Sequence, residues 1–278
     1  MSMKVNKYKI GDYTWMAIGI FITILLLLPV YFMIIYGFET LQDMFHVPPY
    51  WFPPKITFQP FIETFTGLSS NIINSLIIAT GSLLITLFTA PFAGYALAHY
   101  GFKFGKYVNF TLILSQMFPV VMLSIPIFMM YSNVGLINTR LGLILANATY
   151  TIPLCTLILT AYMRSMPFEL IEAGLIDGAS HFTSFFKIVV PVVKSGIATS
   201  AIFAFLMPWA DFVYALVITT DNKIQPMSVG LYKYMELYGL RWNNLMAGGF
   251  IFSIPALVVV TLTGKFIIKG LTAGALKQ

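Results

Sequence analysis

The sequence is poor in charge. Of its 278 residues, 9% are Asp, Glu, Lys or Arg, whereas soluble domains average about 25% charged residues. So few charges cannot form a surface that faces water, and 58% of the residues are hydrophobic. The composition therefore excludes an ordinary soluble domain and predicts an integral membrane protein, because lipid must take the place of water around most of the chain.

Cysteine and histidine are also scarce. The one cysteine, Cys155, cannot form an internal disulfide, and the histidines His46, His99 and His181 lie far apart in the sequence. We therefore expect no metal site. No Ser/His/Asp, Cys/His or paired-carboxylate arrangement recurs near one bilayer level, so we expect no catalytic residues. The sequence also lacks the G-x-x-x-x-G-K-[ST] loop that binds nucleotide phosphates.

Six long apolar stretches each reach the roughly 20 residues that a transmembrane helix needs. They are residues 13–37, 72–98, 108–131, 142–163, 195–219 and 245–268. The first stretch is too long for the apolar core of a signal peptide, about 7–15 residues, and no small-residue cleavage site follows it. We therefore predict an all-α membrane protein with six transmembrane helices, and we interpret the prolines within them as kinks that a bundle tolerates.

The basic residues indicate the orientation of these spans. The 16 Lys and Arg residues are scattered singly and form no patch with interleaved aromatics, so we expect no nucleic-acid partner. About eleven of them fall on the side of the two termini and about five on the other side, so the positive-inside rule places both termini in the cytoplasm. The predicted regions are then a cytoplasmic N-terminus (1–12), the first transmembrane helix (13–37), an outer loop (38–71), a core of five spans (72–268) and a cytoplasmic tail (269–278). The core includes a second outer segment (220–244).

One cytoplasmic connection, residues 164–194, is unusually polar for this chain. Glu169 and Glu172 stand early in a predicted helix, where carboxylates complement the helix dipole. Gly178 suits the left-handed conformation that ends such a helix. A second amphipathic helix is predicted from about Ser180 until Pro191 stops it.

The first of these two helices has the features of a protein-docking surface. Ala173 and Gly174 form a patch of small residues that would let another surface approach the backbone, and Glu172 and Asp177 flank that patch. The alternative is a helix lying on lipid headgroups, but such helices carry Lys and Arg on the polar face rather than acids. The sequence therefore favours a protein partner for this segment.

The stretch "EAGLIDGASHFTSFFKIVVP" resembles the EAA loop of binding-protein-dependent ABC importer permeases. The matching residues are Glu172, Ala173, Gly178, Ile188 and Pro191, and Gly174 stands where the family has a second alanine. Further similarity to the sugar-importing branch, in particular to maltose-type second permease subunits, runs in order along the chain. It includes "NSLIIA", "GYALAHYGFKFGK", "QMFPVVMLSIPIF", "VGLINTRLGLIL", "WADFVYALVIT", "PMSVGL" and "GLTAGALKQ".

The resemblance implies a half-pore with the type-1 ABC importer fold. Its partners would be a second permease subunit, two ATP-binding subunits that hold ATP and Mg²⁺, an extracytoplasmic solute-binding protein, and a sugar or oligosaccharide as the transported solute. The resemblance also implies that the polar segment forms coupling helices that sit in a groove of the ATPase. The candidate coupling residues are Glu169, Glu172, Ala173, Gly174, Asp177, Gly178 and Pro191.

Polar residues within the predicted spans are candidates for the translocation pathway. Asp211, with Trp209 and Tyr214 nearby, combines a carboxylate with aromatic faces, as sugar sites do. The alternative is that Asp211 lies near the outer interface or joins two helices and that Trp209 only packs. Asn74 and Gln116 are further candidates, although a hydrogen bond that stabilises the bundle would also explain each of them.

Other transported solutes stay open at this point. An importer of this kind could carry an amino acid, a peptide, phosphate or a polyol instead of a sugar. A self-contained secondary transporter fits less well, because such proteins use buried ionisable relays and this chain has one predicted intramembrane acid.

Overall fold

The structure is a computed structural model that describes residues 10–99, 104–167, 169–238 and 241–275. These residues form helices joined by loops, as predicted. Among them, four helices are long and apolar enough to cross a membrane, and two sharply bent helix pairs bring the number of candidate spans to as many as six. The chain divides into two compact units, 1–67 with 238–251 and 68–237 with 252–278. Residues 1–9 and 276–278, at the ends of the two predicted tails, lie outside the described part.

The first unit contains helix α1 (Ile10–Gly37), the short helix α2 (Leu41–Met44) and the beginnings of α3 (Gln59–His99) and α13 (Trp242–Ala275). The apolar window of α1 has no residue buried within the chain, as expected of a helix that faces lipid or another subunit.

Part of the predicted outer loop 38–71 is helical, because α3 already begins at Gln59. Pro60 is tolerated there, since the first turn of a helix needs no backbone donor.

The second unit is built around α6 (Arg140–Arg164). It also contains α4 (Gly105–Met117), α5 (Val120–Asn133), α7 (Glu169–Ile176), α8 (His181–Ser184), α9 (Val190–Val192), α10 (Lys194–Ala210), α11 (Val213–Ile218) and α12 (Met227–Tyr238). Its core includes the buried side chains of Cys155, Leu159 and Met163 on one face of α6. Gly94 on α3 lies so close to α6 that an added Cβ would be 3.1 Å from the Cβ of Leu159. Small residues at such contacts let membrane helices pack closely.

Two of the predicted spans are interrupted. The stretch 108–131 bends by 102° between α4 and α5, at Phe118, which is extended (φ −77°, ψ 124°). Pro119 explains this break, because the residue before a proline is driven out of the helical region. The stretch 195–219 is interrupted at Asp211, where α10 ends and the backbone is again extended before α11 begins.

Proline acts differently at the other span positions. Pro29, Pro91, Pro126, Pro153, Pro208 and Pro255 all lie inside helices. These six prolines are thus accommodated without ending their helices, whereas Pro119 marks a break.

Candidate functional site

The polar segment 164–194 forms a compact pair of helical elements. Gly178 follows the C-terminal end of α7 with φ +86°, and the amides of Gly178 and Ala179 donate to the carbonyls of Leu175 (3.1 Å) and Gly174 (3.0 Å). This is the Schellman pattern, in which a left-handed residue closes the end of a helix. Ser180 then caps α8, since its Oγ accepts from the amide of Thr183 at 3.1 Å.

The two faces of α7 differ in burial. Ile171 is 1% exposed and belongs to the core cluster that also contains Phe185 and Val189. On the opposite face, Glu172 and Ala173 are exposed, and Ile176 is 85% exposed. The exposed face of α7 therefore carries one large apolar side chain beside carboxylates.

Gly174 does not belong to the exposed patch in which the sequence placed it. A Cβ at this position would lie 2.4 Å from Cδ1 of Ile188 and 3.5 Å from Oγ of Ser184. Both belong to the second helical element of the segment. Gly174 therefore packs within the chain, where a Cβ would displace the end of the Ile188 side chain, and Ala173 is the exposed residue of the predicted patch.

The second element of the pair is more irregular than predicted. After α8, residues Phe185–Val189 form a π-helical turn, and α9 follows. Pro191 lies inside α9 and does not stop it; the sharp change of direction, 81°, comes after Val192. The ring of Phe185 stacks on that of Phe92 at 4.8 Å and contacts that of Tyr95 at 5.3 Å, so this turn is fixed against α3.

A cavity of about 370 Å³ lies where the two interrupted spans meet. Val120, at the start of α5, and the stretch from Ala210 to Tyr214 border it, together with Asn147 and Tyr150 of α6 and Met207 of α10. The volume falls within the range of about 300–1,000 Å³ that is usual for small-molecule sites.

The side chain of Asp211 caps the N-terminal end of α11, beside this cavity. Its Oδ1 accepts from the amide of Tyr214 (3.1 Å), and its Oδ2 accepts from the amide of Ala215 (3.2 Å) and from Nδ2 of Asn147 (3.3 Å). The carboxylate thus satisfies backbone donors that the helix break would leave unpaired. Asp211 caps a helix and also joins two helices, which is the structural alternative raised from the sequence, and it borders the cavity as well.

The two aromatic residues predicted beside Asp211 differ in their relation to the cavity. Trp209 is 2% exposed, its ring stacks with those of Phe205 and Phe252, and its indole N–H donates to the carbonyl of Phe252 at 3.1 Å. It does not border the cavity, so its position fits the packing alternative. Tyr214, by contrast, borders the cavity, although its side chain is largely buried.

Asn74 and Gln116 make hydrogen bonds within the bundle. Asn74 is fully buried; its Nδ2 donates to the carbonyls of Lys223 and Gln225, and its Oδ1 accepts from Nε of Arg140 at 2.9 Å. Gln116 donates to the carbonyl of Tyr150 at 3.3 Å. Both contacts support the bundle-stabilising interpretation.

Sequence reasoning missed Asn147 and Tyr150. Both occur in the run "LANATYT" of α6, which contains three polar residue types within an otherwise apolar span. That clustering was the available signal, but nothing in the sequence relates it to the break at Asp211.

A polar cleft of about 320 Å³ lies in the first unit. An ion pair crosses it, with Nη1 of Arg241 at 3.4 Å from Oε2 of Glu63, and Asn244 also donates to that oxygen at 3.0 Å. Nearby Glu39 is fully buried, and neither of its carboxyl oxygens has a partner among the described residues. Burial, and secondarily the carboxylate of Asp43, raise the pKa of Glu39 above its usual range.

The described residues contain no group of three or more His, Cys, Asp or Glu side chains that could hold a metal ion. The polar groups at the cavity of the second unit, namely a neutral amide, a carboxylate and a phenol, can form hydrogen bonds with a solute that carries hydroxyl groups.

Comparison with known proteins gives a consistent result. The family model described as "Binding-protein-dependent transport system inner membrane component" matches residues 90–273. An osmoprotective compounds uptake permease of Synechocystis is 34% identical over 82% of this chain and 79% of its own length. A glucose import system permease of Saccharolobus solfataricus is 29% identical over 98% of this chain and 97% of its own. A solved bacterial ABC transporter for alginate import superimposes with a TM-score of 0.76 at 19% identity, covering 93% of this chain and 98% of the matched one, which confirms the predicted fold class.

Proposed function

Because the chain belongs to the binding-protein-dependent transport system inner membrane component family, we propose that it carries a sugar or an oligosaccharide across the membrane. Membership of this family makes the chain the integral, multi-pass permease subunit of an ABC importer, working with a solute-binding protein. Such subunits are not enzymes, and a partner subunit hydrolyses the ATP. The observation that carries the sugar proposal is the end-to-end match to the glucose import permease.

The complete importer would contain this chain, a second permease subunit, two ATP-binding subunits and the binding protein. The apolar surface of α1 is exposed and would face lipid or the second permease. The binding protein would dock on the outer segments 38–71 and 220–244. In this arrangement ATP and Mg²⁺ are held by the partner, and both termini and residues 164–194 are cytoplasmic.

The pair α7–α8 would be the coupling element that contacts the ATPase. Its exposed surface combines the carboxylates of Glu169, Glu172 and Asp177 with the apolar side chains of Ile176 and Phe182. Interfaces of this composition use an apolar centre for affinity and charged groups for register. Gly178 would fix the angle between the two elements.

Two variants test the coupling role. We expect Ile176→Arg to lose the ATPase subunit on purification, because it places a charge in the apolar centre of the contact. Glu172→Lys should also weaken binding of the ATPase subunit, since loss of a desolvated interface charge pair costs about 2–5 kcal/mol. Val47→Arg is the matched control, because Val47 is an equally exposed apolar residue, 87% against 85%, in the predicted outer loop. Retention of the ATPase by both test variants would refute this role.

The transport proposal is tested with the purified complex in proteoliposomes. Uptake of glucose, maltose and diacetylchitobiose would be measured with and without the binding protein, beside glycine betaine and sorbitol. We expect ATP-dependent uptake of at least one sugar that requires the binding protein. Uptake of betaine or sorbitol without any sugar would contradict the proposal and favour an osmolyte importer, which the name of the Synechocystis relative suggests.

A further inference from the structure

The cavity beside the helix breaks at Phe118 and Asp211 is lined like a small-molecule site that favours one class of solute. Its wall is mostly apolar, with Val120, Met207 and Val213, and its polar groups converge from α6 and from the break after α10. Small-molecule sites combine an apolar wall with a few oriented polar groups in this way.

Asn147 presents an unused hydrogen-bond acceptor at this cavity. The side chain is 5% exposed, and its Nδ2 donates to the carbonyl of Leu143 (3.0 Å) and to Oδ2 of Asp211 (3.3 Å). Since both of those partners are acceptors, the amide can only be oriented with its nitrogen towards them. Its Oδ1 then receives no donor from any described residue and is not one of the enclosed atoms, so it is accessible to a solute.

Asp211 adds negative charge that no neighbouring cation compensates. Its oxygens are engaged by two backbone amides and by Asn147, all of them uncharged donors. The described residues that border the cavity include no Lys, Arg or His. A carboxylate or sulfonate on the solute would therefore meet a like charge and no basic partner, and like charges in contact are strongly disfavoured.

We infer that this subunit holds a subsite for one unit of an uncharged saccharide, and that the subsite disfavours acidic sugars. Sugar hydroxyls donate to Oδ1 of Asn147 and to Asp211, and the rings of Tyr150 and Phe212 provide the faces against which the sugar ring lies. This inference rests on the proposed function, because it requires that a sugar passes along this chain.

The site is tested by solute protection in the complex with its partners, reconstituted in nanodiscs. Ala210 borders the cavity and is exposed, so Ala210→Cys, with Cys155 replaced by Ser, provides a reporter for N-ethylmaleimide. The probes are glucose, maltose and diacetylchitobiose, with glucuronate and galacturonate as acidic counterparts. Ser132→Cys, exposed at the far end of α5, is the matched control whose alkylation the sugars should not change.

We expect at least one neutral sugar to slow alkylation of the Ala210→Cys variant, and the two acids to require a concentration at least about tenfold higher. Adding Asn147→Ala should weaken protection by about 3- to 10-fold, as for one lost hydrogen bond. Adding Asp211→Asn keeps a helix-capping side chain. It should narrow the difference between the concentrations of neutral and acidic sugars that are needed for protection.

Three results would overturn the inference: no protection by any of the five sugars, equal protection by the acids, or protection that the Asn147→Ala change leaves intact. Each can be separated from failure of the proposed function, which is measured independently by uptake. If sugars are imported but do not protect the reporter, the subsite is absent while the transport function stands.

Discussion

Replacing Gly178 isolates the contribution of one backbone angle to coupling. Gly178 has φ +86°, and an added Cβ would meet no atom within 4 Å. Alanine at this position therefore introduces no clash, and its effect is limited to the left-handed conformation, which costs an L-residue about 1–2 kcal/mol. Gly135, between α5 and α6, has φ +71° and equally open surroundings. Gly135→Ala thus imposes a similar strain outside the proposed coupling pair α7–α8.

The strain that alanine introduces at position 178 can be expressed as a change in affinity for the ATPase subunit. Since 1.4 kcal/mol corresponds to a factor of ten, Gly178→Ala should lower the equilibrium constant between the native α7–α8 angle and the reopened turn by about 5- to 30-fold. Because only chains with the native angle bind, the concentration of ATPase subunit needed for half-maximal assembly should rise by as much as the same factor. Gly178→Asn should fall between wild type and Ala, because Asn tolerates this conformation better.

The assay is titration of the ATPase subunit into the reconstituted permease pair, with ATP hydrolysis stimulated by binding protein and sugar as the readout. Gly135→Ala should assemble and hydrolyse ATP as wild type does. Wild-type titration curves for Gly178→Ala would refute the reasoning. Equal losses in the two variants would also refute it, since the effect would then be a general consequence of strain rather than a property of the coupling pair.

Three further predictions follow from the same structure. Gly174→Ala should reduce thermal stability, because its Cβ meets Cδ1 of Ile188, and Ile188→Val should rescue it by removing that atom; a double-mutant cycle without coupling would exclude the contact. In otherwise cysteine-free chains, Val47→Cys should react with an impermeant thiol reagent in intact cells and Ile176→Cys should not, and labelling of the latter would reverse the topology. Glu39→Gln should raise the unfolding temperature of the protein at pH 8 but not at pH 4. Folding raises the pKa of Glu39, so the stabilising contribution of this acid is lost as the pH rises through its folded pKa. Identical pH profiles for the wild type and the variant would contradict this assignment.

Much of this protein could be predicted from local sequence. Low charge and long apolar runs require lipid as the solvent, and the helical class follows because helices satisfy their own backbone in lipid. The turn at Gly178 was also predictable, since only a residue without a Cβ adopts that angle at little cost. The order of motifs along the chain was sufficient to indicate the permease family.

The tertiary structure decided which residues act together. Gly174 appeared to belong to an exposed patch, because helical periodicity cannot show that Ile188, from a following element, covers it. Trp209 appeared suited to a sugar, but its ring is enclosed by Phe205 and Phe252, and Phe252 is distant in the sequence. Asn147 and Asp211 form one site only because a break after α10 places the carboxylate beside the middle of α6. Contacts between residues distant in sequence depend on how the helices pack and where they break, which local patterns of polarity do not specify.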